Sequence, residues 1–200
     1  MTEPFTYPAV IHSRRHGPQG YAHYGSYRPW LRDEFAFRCV YCLIREVWGA
    51  VQGAYALDHF FPVAARPDLA LEYDNLLYAC VSCNLSKGGQ TTPDPLSALI
   101  DAEVRVSEDG GIRADTPEAQ KLVELLGLNR PRLGEFRGLW IRIVRLALLT
   151  DPALFRRLMS YPPDLPDLSK LRPPTGNTRP EGIGQSHFAR RQRGELDDTY

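Results

Sequence analysis

Four cysteines in two matched pairs carry the strongest chemical signal in the chain, Cys39-Val40-Tyr41-Cys42 and Cys80-Val81-Ser82-Cys83. Two residues between thiolates let both sulfurs of one turn face a single ion, and a second such turn completes a tetrahedral shell. The pairs use every cysteine in the chain. That argues against four unrelated core thiols and predicts a structural zinc on Cys39, Cys42, Cys80 and Cys83. The pairs are separated by 37 residues. A simple zinc ribbon needs only about 15–20, so something else is inserted between them. The insert holds Asp58-His59 and Asp74-Asn75, while Asn84 and Lys87 follow the last cysteine. His59 is the only histidine of this region, and an imidazole is the natural proton acceptor near neutral pH. Asp58 and Asn84 offer hard oxygen donors, which suit Mg²⁺ or Mn²⁺ better than a second zinc.

Elements must hold these groups in place. Pro29 stands where a helix begins, and residues 30–35 read as a short helix leading into Cys39. Residues 55–61 predict a strand, Asp74-Asn75 a loop and residues 76–79 a second apolar segment. A helix opens at Asn84, just after Cys83, and Gly88-Gly89 stop it. Adjacent residues of a regular strand point to opposite faces, so on such a strand Asp58 and His59 could not both serve one site. Further on, residues 102–113 predict a hairpin turning at Glu108-Asp109-Gly110-Gly111. Helices follow from Thr116-Pro117 to Gly127, over 133–149 and over 152–159. Six prolines between Tyr161 and Pro180 predict a disordered or weakly docked tail. The chain therefore reads as α+β, with an N-terminal arm (1–28), a cysteine module (29–92), a mostly helical extension (93–160) and a Pro-rich tail (161–200).

The module resembles the HNH endonuclease family. The resemblance runs from Phe37-Arg38-Cys39-Val40-Tyr41-Cys42 through Leu57-Asp58-His59-Phe60-Phe61-Pro62 and Asp74-Asn75-Leu76 to Cys80-Val81-Ser82-Cys83-Asn84-Leu85-Ser86-Lys87-Gly88. It covers about a quarter of the chain, with its elements in the family's order. It implies a ββα-metal fold in which the first strand ends at Asp58-His59 and the pair faces a helix. By the same analogy His59 deprotonates the attacking water, and Asp58 and Asn84 hold a catalytic Mg²⁺ or Mn²⁺. Asn75 orients the loop and the His59 ring, and Lys87 contacts phosphate. Products would carry 5′-phosphate and 3′-hydroxyl ends. Each residue also has a plainer reading: Asp58 capping a turn, Asn75 as turn residue, Asn84 as helix N-cap, Lys87 as surface lysine. The chain departs from many members at Leu43, where they carry Gly, and at Ala64-Ala65-Arg66-Pro67, where they carry Gly-Gly. It also has Asn84 where some carry His.

With 24 Lys plus Arg against 24 Asp plus Glu, the chain has no net charge and is no histone-like polycation. Any basic surface must be local, and the module itself has three basic and five acidic residues over 39–92. Residues 1–38 bring five arginines interleaved with Tyr21, Tyr24, Tyr27 and Trp30, either a stacking and phosphate-contacting arm or aromatics packing a small module. The helix over 133–149 is locally cationic, with Leu139, Ile143, Leu146 and Leu149 at helical spacing for a core or partner face. Gly110-Gly111-Ile112, Leu125 to Asn129 and Arg137 are similar to a subgroup of HNH proteins of phage-defence and retron-type systems. There such nucleases work beside an ATPase, which implies a defence partner. Nucleic acid, DNA first, is the expected substrate, and cutting both strands with one site per chain would need a homodimer. The alternatives are a zinc-stabilised nucleic-acid-binding module and a nuclease silent until its partner arrives. The start of the chain lacks a secretory signal and no apolar run is long enough to span a bilayer, so a cytoplasmic chain with reduced cysteines is expected.

Overall fold

Two short antiparallel strands and the helix that follows them form the centre of the fold. The computed structural model describes residues 3–49 and 54–200. Strand β1 (Tyr55–His59) pairs with β2 (Leu76–Cys80) in a ladder running from Tyr55↔Cys80 to His59↔Leu76. Helix α2 (Val81–Lys87) leaves β2 without a linker and packs on both strands. It begins three residues before the expected Asn84 because the Cys80 thiol takes the N-cap, accepting from the Cys83 N–H at 3.4 Å. Gly88, at φ +54°, ends it as expected. Helix α1 (Arg28–Glu34) lies against β2 and delivers the chain to Cys39.

The remaining elements wrap this centre. Helix α3 (Pro95–Ala98) precedes the hairpin of β3 (Val104–Val106) and β4 (Ile112–Ala114), and α4 (Pro117–Leu125) packs on β4. Helix α5 (Pro131–Thr150) is followed by α6 (Pro152–Met159), α7 (Glu181–Gly184) and α8 (His187–Gln192). One hydrophobic cluster joins Phe5 and Tyr7 to Leu168 through the two cysteine turns, both strand pairs and α4. The fold is α+β. Among the described residues no helix is long and apolar enough to cross a membrane.

Two expectations need correction. The apolar stripe of α5 is not its buried face: Leu139, Leu146 and Leu149 stand exposed, and Arg137, Gly138, Ile141, Val144 and Ala147 are buried instead. The reason is the β3–β4 turn, where Asp109 and Gly110 press so closely on α5 that a Cβ at Gly110 or Gly138 would collide with the facing backbone. Arg137 then donates to the carbonyls of Gly110 (2.6 Å) and Leu128 (2.7 Å).

The tail over 161–200 is not disordered. Asn177 pairs with Pro18 in a β-bridge, and Leu165, Leu168, Ser186 and His187 are buried. Tyr200 stacks on Tyr161 at 4.2 Å, with the buried Arg45 guanidinium over its ring at 4.1 Å. Asp33, fully buried in α1, clasps both sides: its oxygens lie 2.9 Å from His16 Nε2 and 2.9 Å from His187 Nδ1. Beside it, Glu34 accepts from the backbone of Arg15 (2.8 Å) and His16 (3.0 Å) and meets His12 Nε2 at 2.9 Å. Burial would raise both carboxyls, but these bonds outweigh it. Asp33 is held well below the usual range, and Glu34 is held at about 2. Prolines set the tail's extended course, and scattered anchors rather than a continuous apolar run hold it down.

Candidate functional site

Two chain turns build the cysteine cluster. In the first, Leu43 N–H bonds to Cys39 O at 3.0 Å, Cys39 N–H bonds to Ile44 O at 3.0 Å, and Val40 N–H reaches Tyr78 O on β2 at 2.9 Å. Leu43, where many HNH members have Gly, is forced to φ +61° while its side chain is buried. A left-handed backbone costs an L-residue about 1–2 kcal/mol, so this chain keeps a packed leucine at the expense of local strain. The second turn is the β2–α2 junction. All four Sγ atoms are buried and lie within 4.8 Å of one another. Cys42 and Cys80 sulfurs are 3.7 Å apart, close to the separation of about 3.8 Å that four Zn–S bonds of 2.3 Å impose on a tetrahedron. The cluster could hold a metal ion such as zinc.

Asp58 and His59 are the last two residues of β1, which ends at His59 as the resemblance implies, and their side chains take different partners. Asp58 is buried, with Oδ2 accepting from Tyr41 Oη at 2.5 Å and Oδ1 paired to Lys87 Nζ at 2.9 Å. Burial pushes the Asp58 carboxyl up, against the pull of Tyr41 and Lys87. Burial also drives the Tyr41 phenol far above its ordinary value, with Asp58 adding to the effect, so Tyr41 stays a proton donor.

His59 is half-buried, its Nε2 3.0 Å from Ala70 O. A carbonyl oxygen can only accept, so Nε2 carries a proton, and in the neutral imidazole that leaves Nδ1 as the acceptor. Nδ1 makes no hydrogen bond to another described residue. The Tyr24 ring stands edge-on to the imidazole at 4.9 Å. Ala70 is placed by Asn75, whose Oδ1 accepts from Phe61 N–H at 2.8 Å and whose Nδ2 donates to Phe61 O and Leu69 O, both at 3.1 Å. Asn75 thus ties the loop at Phe61 and Leu69, and makes no hydrogen bond to the His59 ring.

Lys87 is not a surface group. It is 1% exposed, and Nζ also donates to His59 O at 2.6 Å, so it braces the strand from beneath. It is therefore not placed to touch a phosphate. Asn84 is half-buried on α2 and is not the helix cap, a place held by Cys80. Its side chain has no hydrogen-bond partner among the described residues. His12, Arg15 and His16 bind Asp33 and Glu34, Arg14 donates to the Asp74 and Leu76 carbonyls, and Tyr27 and Trp30 belong to the core. Tyr41 and Ala70 escaped sequence reasoning. Tyr41 lies between Cys39 and Cys42, where an aromatic reads as core, and Ala70 acts through its backbone, which no side-chain pattern reports. Comparison with family models, with curated proteins and with solved structures finds no match to the chain.

Proposed function

We propose that the chain is a metal-dependent endonuclease of the HNH type, hydrolysing phosphodiester bonds, with the cysteine cluster as a structural zinc site. The observation carrying this reading is His59: a half-buried imidazole whose Nε2–H is committed to Ala70 O, leaving Nδ1 as a proton acceptor. In the proposed reaction a water gives its proton to Nδ1 as its oxygen bonds to phosphorus. The 3′-oxygen departs and takes a proton from solvent, which leaves 5′-phosphate and 3′-hydroxyl ends.

Asp58 and Asn84 carry the kind of oxygen donors that a hard divalent ion takes. A carboxylate has about four acceptor positions, of which Tyr41 and Lys87 fill two on Asp58, and the Asn84 amide is unengaged. A bound Mg²⁺ or Mn²⁺ would neutralise charge on the phosphate. Tyr41 and Lys87 fix the Asp58 carboxylate, and Asn75 fixes the loop that orients His59.

The test is cleavage of supercoiled plasmid by zinc-loaded protein, with Mg²⁺ or Mn²⁺ against none, for wild type and His59→Ala. Metal-dependent cleavage lost in the variant supports the reading, and equal cleavage by both removes His59 from it. DNA binding without cleavage in any metal would favour a zinc-stabilised binding module instead.

A further inference from the structure

Of the chain's ten tyrosines, Tyr24 alone is exposed, at 47%, and its hydroxyl bonds to no described residue. An aromatic left in water without a polar partner does little for the fold. Its position is nevertheless fixed. Tyr24–Tyr27 form a 3-10 turn leading into α1, and Tyr27 is buried between Tyr21 (4.9 Å) and Tyr73 (5.7 Å). Arg28 Nη1 donates to Tyr55 O at 3.1 Å. The segment thus runs beside β1, with Arg28 at its Tyr55 end and Tyr24 at its His59 end. There the phenol ring meets the imidazole edge-on, inclined at 65°. Phe61, two residues beyond His59, is also exposed, with the Arg66 guanidinium 6.0 Å from its ring.

We propose that Tyr24 is a base-stacking residue, and that the site takes an unpaired nucleobase next to the scissile phosphate. This rests on the nuclease reading of His59. A base inside a duplex has both faces covered by its neighbours, whereas a base in a single strand, loop or flap offers a face to an aromatic ring. Sugar type does not enter such a contact, so DNA and RNA share the chemistry.

The test measures binding of short labelled single-stranded DNA, single-stranded RNA and duplex DNA to zinc-loaded protein, with Ca²⁺ in place of Mg²⁺ to suppress cleavage. Tyr24→Ala should weaken single-strand binding about tenfold and abolish quenching of a 2-aminopurine probe, while Tyr24→Phe stays within about twofold of wild type. Duplex binding should hardly change, and the DNA and RNA arms identify the preferred sugar. Far-UV circular dichroism and zinc content check that both variants are folded. Unchanged single-strand affinity in Tyr24→Ala, an equal loss on duplex, or no nucleic-acid binding at all would overturn the proposal. Cleavage of the same labelled single strands with Mg²⁺ in place of Ca²⁺ is scored separately, for wild type and His59→Ala. Hydrolysis dependent on His59 with no Tyr24 effect removes the stacking role alone, and Tyr24-dependent stacking without hydrolysis removes the nuclease reading alone.

Discussion

Replacing Lys87 by Met tests the buried ion pair that braces β1. The Lys87 and Asp58 side chains are 1% and 4% exposed, and Nζ holds both Asp58 Oδ1 (2.9 Å) and His59 O (2.6 Å). Methionine fills much of the same volume but leaves a carboxylate oxygen and a strand carbonyl without their donor. Removing one member of a buried pair costs about 3–5 kcal/mol. At about 2–4 °C per kcal/mol for a chain of this size, Tm should fall by about 6–20 °C. The assay is thermal unfolding by circular dichroism with zinc saturating. Asp58→Asn combined with Lys87→Met removes the stranded charge and should recover part of the loss, since Asn can still accept from Tyr41. Arg66→Ala, whose partner Asp68 stands in solvent, should leave Tm unchanged. A Lys87→Met protein melting within about 2 °C of wild type would refute the reasoning, because a desolvated pair cannot be broken so cheaply.

Two further outcomes are expected. The purified chain should carry one zinc, measured by elemental analysis, and Cys42→Ser or strong chelation should cause a large loss of Tm and of protease resistance, because the cluster links α1, β2 and α2. Glu34→Gln should melt below wild type at pH 6, with the gap closing toward pH 3. Glu34 is depressed from an ordinary 4.5 to about 2, so its contribution is whole above about 4.5 and fades as pH falls toward about 2. A gap that stays constant with pH would remove Glu34 from the clasp.

The cysteine spacing, the first central strand and the helices over 117–159 were legible in the sequence because each follows from local pattern, whereas β2, buried on both faces, read only as an apolar segment. The bracing of the site was not legible. Lys87 reads as solvated until α2 is known to start at Val81 and to carry that residue beneath β1. The tail read as disordered because its prolines lower local structure, while its anchors are single residues such as Leu168, His187 and Tyr200 whose partners lie far off in sequence. Likewise the α5 leucines gave a regular period, but the buried face was chosen by two glycine contacts with a distant turn.

The clasp on Asp33 also sets an order of assembly. The two cysteine turns fall within 45 residues, whereas His187 is 154 residues beyond Asp33. At a synthesis rate of about 5–20 residues per second, Asp33 waits about 8–30 s for its last partner. Until then a carboxylate destined for full burial stays hydrated, and the α1 face beside it stays open to water and to other chains. Docking of residues 161–200 therefore closes the longest loop of this clasp, a contact that the chain can make only after the whole cysteine module has been synthesised.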